Sequence, residues 1–197
     1  DEATEDITKM AAMSPSEKSY FETSVLAHAK HRIAWLLILM FSATITGTII
    51  TRYENAFAAI PLLVSFIPML MDTGGNCGSQ SSTLIIRGIA LGEIQFSDLF
   101  RVMFKEFRVS LIVGVALALA NGIRILIMYK NAGLALVIGL SLVATIVISK
   151  LIGCVLPLIA KKLHMDPAIM ASPLITTLVD TCSILIYFNI ATQVFQL

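Results

Sequence analysis

Long apolar segments dominate this sequence, and they restrict its fold more than any other feature. Five of them are candidates for helices that cross a membrane, which takes about twenty mainly apolar residues each. The composition agrees, because 57% of the residues are hydrophobic and 14% are charged, whereas an average soluble domain is about a quarter charged. We therefore expect an all-α membrane protein with five transmembrane helices. The predicted spans are residues 33–50, 56–86, 109–128, 134–160 and 168–195.

Two further segments have the pattern of helices that do not cross the membrane. The stretch SPSEKSYFETSVLAHAKHR begins with Ser14 as a predicted N-cap and with Glu17 completing a capping box. The stretch FSDLFRVMFKEF, residues 96–107, carries an apolar stripe and places its charges elsewhere, which predicts a helix in the membrane interface or one packed on a cytoplasmic domain. The expected organisation is a cytoplasmic connecting region over residues 1–32, followed by a transmembrane domain over residues 33–197.

Basic residues are concentrated on one side of the predicted spans. Since cytoplasmic loops carry an excess of Lys and Arg, the N-terminus is expected in the cytoplasm and, with five spans, the C-terminus outside. The net charge of +1 and the lack of a basic block in the sequence argue against a nucleic-acid partner. The basic residues that decide the orientation are Lys18, Lys30, Arg32, Arg87, Arg101, Lys105, Arg108, Lys161 and Lys162.

Asp180 lies near the middle of the last predicted span, in the stretch SPLITTLVDTCSILIY. A carboxylate at that depth costs roughly 2.5–3.5 kcal/mol on insertion scales and usually faces a bundle interior or a water-filled cavity. Helical spacing places Thr176 one turn earlier and Ser172 two turns earlier on the same face. This polar stripe indicates either an ion pathway or a set of hydrogen bonds that joins helices.

The second predicted span ends in the polar motif MLMDTGGNCGSQ, residues 69–80. Asp72 lies in its cytoplasmic half, and Gly74 and Gly75 permit unwinding or a close helix approach. Together with the amide of Asn76, freed backbone carbonyls there would supply oxygen ligands. Alternatively, the helix ends at the membrane interface in a glycine turn.

Carboxylate, amide, hydroxyl and carbonyl oxygens suit Mg²⁺, Ca²⁺, Mn²⁺, Na⁺ or a proton. One mid-membrane acid per chain cannot cage a bare divalent ion. Two copies related by a two-fold axis would place two negative charges around a hydrated ion, which is how Mg²⁺ is usually held.

The motif residues resemble a known family. The stretch PLLVSFIPMLMDTGGNCGSQSSTLIIRGIALGEI resembles the signature of the MgtE family of magnesium channels, with the spacing P-x6-P-x5-G-G-N-x-G-x-Q from Pro61 to Gln80. The stretch DPAIMASPLITTLVDTCSILIYF resembles the last transmembrane helix of that family. The likeness covers essentially the whole chain. It implies a homodimer with five transmembrane helices per chain, in which helices 2 and 5 line a pore on the dimer axis that passes hydrated Mg²⁺.

The resemblance also implies roles for single residues. Asp180 would bind hydrated Mg²⁺, and Thr176 and Ser172 would line the same path. Asp166 resembles a family acid at the inner mouth of the pore. Asp72 has no firm place in the family pattern, and if it faces the pore it would broaden selectivity toward Ca²⁺ or Mn²⁺. Backbone and amide oxygens would come from Gly74, Gly75 and Asn76.

Members of this family carry a cytosolic helical domain and CBS domains that sense Mg²⁺. Residues 1–197 contain neither, so the resemblance implies a pore domain that cytosolic Mg²⁺ regulates weakly or not at all. The ion and membrane lipid are its expected partners.

Three other interpretations compete with the channel. A Na⁺- or H⁺-coupled divalent cation exchanger would use Asp180 as a group that takes up a proton during the transport cycle. An intramembrane aspartyl protease would pair Asp72 with Asp180, but the sequence around them has no Gly-x-Gly-Asp motif, and we expect no enzyme activity. A structural membrane anchor leaves the mid-membrane acid unexplained.

Overall fold

The computed structural model describes residues 7, 9, 11, 20–170 and 172–196, with the side chains of residues 57, 169, 170 and 172 excepted. Within residues 20–170 and 172–196, the chain forms six α-helices that are joined by turns and short 3₁₀ segments, and it forms no strand. The helices are α1 (Val25–Arg52), α2 (Glu54–Ala59), α3 (Ile67–Ala90), α4 (Leu99–Tyr129), α5 (Ala132–Lys162) and α6 (Ser172–Phe195).

Four of these helices, α1, α4, α5 and α6, are long and apolar enough to cross a membrane. This confirms the prediction of an all-helical, multi-pass membrane protein. The fifth predicted span corresponds to α3, which has 24 residues and is therefore about 36 Å long at 1.5 Å per residue. It is long enough to cross, but its glycine, serine and asparagine residues make it less apolar than the other four.

The second predicted span, residues 56–86, is not one helix. The chain forms the short helix α2, then a 3₁₀ segment over Pro61–Phe66, and then α3, which has Pro68 in its first turn. Each proline lacks a backbone N–H and is tolerated where a helix begins, so two prolines divide this segment. The buried Tyr187 of α6 secures the break by donating a hydrogen bond of 2.8 Å from its hydroxyl to the carbonyl of Leu63.

The predicted interfacial helix over residues 96–107 and the third predicted span are instead a single helix. A 3₁₀ turn at Phe96–Asp98 leads into α4, which continues for 31 residues to Tyr129. The separation into two helices was wrong because the sequence between Phe107 and Val109 contains no glycine or proline to interrupt the backbone.

Helix α1 begins at Val25. Ser24 caps α1 by accepting a hydrogen bond of 3.3 Å from the backbone N–H of Ala27. The expected cap at Ser14 lies outside the described residues. From Val25 the helix runs without a break through residues 32 and 33, where the connecting region was expected to end.

The central helix of the bundle is α5, which packs on α3, α4 and α6. Next to it, α3 and α6 pack side by side, while α1 lies at the edge and contacts mainly α6. A hydrogen bond of 2.9 Å between the hydroxyls of Thr46 and Thr181 joins α1 to α6. The helices that carry the two polar motifs are therefore neighbours.

Candidate functional site

A groove of about 470 Å³ lies between α3 and α6 and contains both acids from the predicted spans. Five of the eight candidate site residues line it, namely Asp72, Gly75, Asn76, Thr176 and Asp180. The remaining lining residues, Ile67, Pro68 and Met71, are apolar. The structure thus brings together two motifs that are about a hundred residues apart in the sequence.

Helical periodicity explains how the groove acquires its polar groups. On α3, Asp72 and Asn76 are four residues apart, and on α6, Thr176 and Asp180 are also four residues apart, so each pair shares one face of its helix. Asp72 and Asn76 are exposed, whereas Thr176 and Asp180 are half-buried. The groove is therefore open on the side of α3 and more enclosed on the side of α6.

The donor set consists of oxygen atoms. Two carboxylates, the Asn76 amide and the Thr176 hydroxyl line the groove, and that hydroxyl donates a hydrogen bond of 3.0 Å to the carbonyl of Pro173. Among the described residues, no three or more His, Cys, Asp or Glu side chains are grouped closely enough to hold a metal ion directly. Two carboxylates and neutral oxygens suit a cation that keeps its water.

The glycine pair on α3 provides close packing. Helix α3 neither ends nor unwinds there, but continues to Ala90. A Cβ atom at Gly74 would lie 2.8 Å from Val179 Cγ1, and one at Gly75 would lie 2.9 Å from Thr176 Cγ2. The carbonyl of Gly74 accepts a hydrogen bond from the hydroxyl of Ser149. The two glycines therefore set how closely α3 approaches α5 and α6.

Two candidate residues lie away from the groove. Ser172 is the first residue of α6, and its side chain is outside the described part. Asp166 follows α5 and lines a second cavity of about 400 Å³, together with Lys161 and His164.

Asp166 forms an ion pair of 2.6 Å with Lys9 and accepts a hydrogen bond of 2.9 Å from the backbone N–H of Ala168. Partial burial raises the pKa of Asp166, but these two hydrogen bonds and the nearby positive charges of Lys9 and Lys161 hold it below its usual value. The Asp166 carboxylate is thus kept charged next to the second cavity.

Sequence reasoning missed a buried polar cluster on the other side of α3. Ser81, Glu106 and Lys150 come from α3, α4 and α5, and all three are buried. Glu106 was expected on the polar side of an amphipathic helix, and Lys150 lies in a strongly apolar run. A lysine in the interior of a predicted span was the available signal, since such a residue requires a partner.

Comparisons with known proteins agree with the motif resemblance. The model of the MgtE family, described as "Divalent cation transporter", matches residues 67–190. "Magnesium transporter MgtE" of Bacillus subtilis is 39% identical over 97% of this chain. The proteins of the same name from Thermus thermophilus and Enterococcus faecalis are 36% and 33% identical over 96% and 98% of this chain. The chain spans 42% of the length of each of these relatives.

Proposed function

This chain belongs to the MgtE family of divalent cation transporters, and we propose that it conducts hydrated Mg²⁺ across a membrane through the groove between α3 and α6. The observation that carries the proposal is the convergence of Asp72 and Asp180 on one groove. Two negative charges among oxygen donors favour a hard divalent cation over a monovalent one. The names of the relatives support Mg²⁺ as the ion, because each is called a magnesium transporter.

The size of the groove supports a hydrated ion. Mg²⁺ prefers six octahedral ligands and loses water reluctantly. Six waters at about 30 Å³ each occupy about 180 Å³, which fits within a groove of about 470 Å³. In this proposal, the carboxylates of Asp72 and Asp180 accept hydrogen bonds from the water shell. The amide of Asn76 and the hydroxyl of Thr176 contact the same shell.

Ca²⁺ and Mn²⁺ are further candidate ions, because the donors are the same hard oxygens. Gly74 and Gly75 bring α3 close to α6, which places Asp72 within the groove. We assign Ser172 to the continuation of the path along α6. Asp166, next to the second cavity, is proposed to lie at the inner mouth of the path.

We propose that the functional unit is a two-fold homodimer with five membrane spans per chain, in which α3 is the fifth span. A helix that turns its polar face to a water-filled path needs less apolar surface than one surrounded by lipid, which accounts for the composition of α3. A second copy across a two-fold axis would close the open side of the groove and double its negative charge. We also propose that the N-terminus is in the cytoplasm and the C-terminus outside, an orientation that the distribution of Lys and Arg supports.

Mg²⁺ flux into liposomes that contain the chain tests the proposal, with Na⁺ and pH matched on both sides. We expect passive flux in the wild type and a loss of more than about tenfold with Asp180→Asn, which removes a charge from the enclosed side of the groove. Asp98→Asn is the matched control, because Asp98 lies in the 3₁₀ turn before α4 and does not line the groove.

Undiminished flux with Asp180→Asn would contradict the assignment of Asp180. Flux that appears only under an opposing Na⁺ or H⁺ gradient would replace the channel with a coupled exchanger.

A further inference from the structure

A cluster of three buried side chains lies behind the groove and joins three helices. The hydroxyl of Ser81 on α3 donates a hydrogen bond of 2.6 Å to Glu106 Oε2 on α4. The ammonium group of Lys150 on α5 donates one of 3.2 Å to the same hydroxyl. Lys150 Nζ and Glu106 Oε2 are 3.8 Å apart, so the Ser81 hydroxyl bridges two charges that do not hydrogen-bond to each other directly.

The buried charges and hydrogen bonds of this cluster hold the three helices in a defined relative orientation. Glu106 and Lys150 are only 8% and 5% exposed, and buried charges require both a partner and satisfied hydrogen bonds. Helix α3 packs mainly on α5 and α6, whereas α4 packs mainly on α5. Within the described residues, the bond from Ser81 to Glu106 is thus a direct polar link between α3 and α4, two helices that otherwise meet mainly through α5.

The position of Ser81 on α3 relates the cluster to the groove. Ser81 lies nine residues after Asp72 on the same helix, which is about two and a half turns, so the two side chains project from opposite faces. Near the cluster, Gly78 contacts Gly153 of α5. That contact limits how closely the two helix axes approach, whereas a directional hydrogen bond also restricts rotation of α3 about its own axis.

We propose that Ser81 is a positioning residue, held by Glu106 and Lys150, that fixes the rotation of α3 and thereby the placement of Asp72 opposite Asp180. The inference rests on the proposed cation-binding groove. It adds a mechanism by which residues that do not contact the ion set the ion affinity. Loss of the Ser81 hydroxyl allows α3 to rotate and changes the spacing of the two carboxylates.

The first test measures Mg²⁺ flux at graded Mg²⁺ concentrations for the wild type, Ser81→Ala and Ser141→Ala. Ser81→Ala retains the ion pair and removes only its link to α3. Ser141 is the matched control, because it is equally buried but donates its hydrogen bond to Val137 of its own helix. We expect Ser81→Ala to raise the half-saturating Mg²⁺ concentration about three- to tenfold with little change in maximal flux, and Ser141→Ala to leave both unchanged. Equal half-saturating concentrations in the two variants would overturn the proposal.

A distance measurement separates this inference from the proposed function. Nitroxide labels at Arg87→Cys on α3 and Arg101→Cys on α4, two exposed positions, report the relation of the two helices in a cysteine-free background. We expect the distance distribution to broaden or shift with Ser81→Ala and to stay the same with Ser141→Ala. If the wild type conducts no Mg²⁺, the proposed function fails, and the distance distribution alone then tests whether Ser81 fixes the rotation of α3. An unchanged distribution in that case would also overturn the role of Ser81.

Discussion

Asp72 and Asp180 form the acidic pair of the groove, and they differ in environment. Asp180 is half-buried on α6, whereas Asp72 is exposed on α3. Two like charges in one groove repel each other, and a divalent cation relieves that repulsion. The enclosed carboxylate is expected to interact more strongly with the ion, because solvent screens the exposed one. In the proposed site both carboxylates are expected to contribute, with Asp180 supplying more of the binding free energy.

Replacing Asp72 tests this division of roles. We expect Asp72→Asn to raise the half-saturating Mg²⁺ concentration by up to about tenfold, or about 1.4 kcal/mol, which is less than the effect of Asp180→Asn. Flux at graded Mg²⁺ concentrations provides the measurement. Asp98→Asn should match the wild type. If Asp72→Asn also behaves like the wild type, the second carboxylate has no part in ion binding.

The sequence could predict the groove residues on α6 but only part of the rest. Thr176 and Asp180 follow from helical spacing alone, which places them on one polar stripe. Whether Asp72 meets Asp180 depends on how α3 is rotated against α6, a tertiary property that no local pattern contains. The partnership of Glu106 with Lys150 was missed for the same reason, since these residues are far apart in the sequence and lie on different helices.

Among the helices, the crossing of α3 and α5 determines where α3 lies. A Cβ atom at Gly153 would collide with the carbonyl oxygen of Gly78 and would lie 3.2 Å from its Cα. Backbone atoms cannot move aside as the end of a flexible side chain can. The two helices are therefore in close contact through a pair of glycines, and any side chain at that point would have to separate them.

Gly153→Ala should therefore destabilise the bundle. We expect a loss of about 1–3 kcal/mol, because overpacking outweighs the better helix propensity of alanine. Gly122→Ala on α4 is the matched control. A Cβ atom there meets nothing within 4 Å, so that this change should be neutral or stabilising by up to about 1 kcal/mol. Thermal unfolding in detergent compares the two variants, and equal melting temperatures would exclude a tight crossing at Gly153.

The boundaries of the helices show which local sequence signals predict where a helix begins and ends. The prolines did not predict the break before α3, because Pro61 and Pro68 are also compatible with a kinked continuous span. The amphipathic stripe of residues 96–107 indicated a helix correctly, but the helix does not end with the stripe and continues to Tyr129. Periodicity describes the faces of a helix, whereas its end requires a cap or a residue that interrupts the backbone.

For the molecule as a whole, the open side of the groove would be energetically unfavourable if a single chain stood alone in the membrane. Asp72 and Asn76 are exposed on α3, and a carboxylate facing lipid is costly. A second copy that covers this side would surround the ion path with protein and water. The apolar segments predict a membrane protein, but the proposed dimer depends on the shape and charge of a surface formed only after the helices have packed.

Co-expression of wild-type and Asp180→Asn chains tests whether one ion path requires two copies. If both chains of a two-fold dimer must contribute Asp180, random pairing at equal amounts leaves about a quarter of the dimers with two intact acids, so flux should fall to about a quarter. Independent chains would each conduct, and flux would fall to about a half. Wild type mixed with Asp98→Asn controls for co-expression and should retain full flux. A linear dependence of flux on the wild-type fraction would show that each chain forms a complete path, whereas a quadratic dependence places the two Asp180 side chains at one shared site.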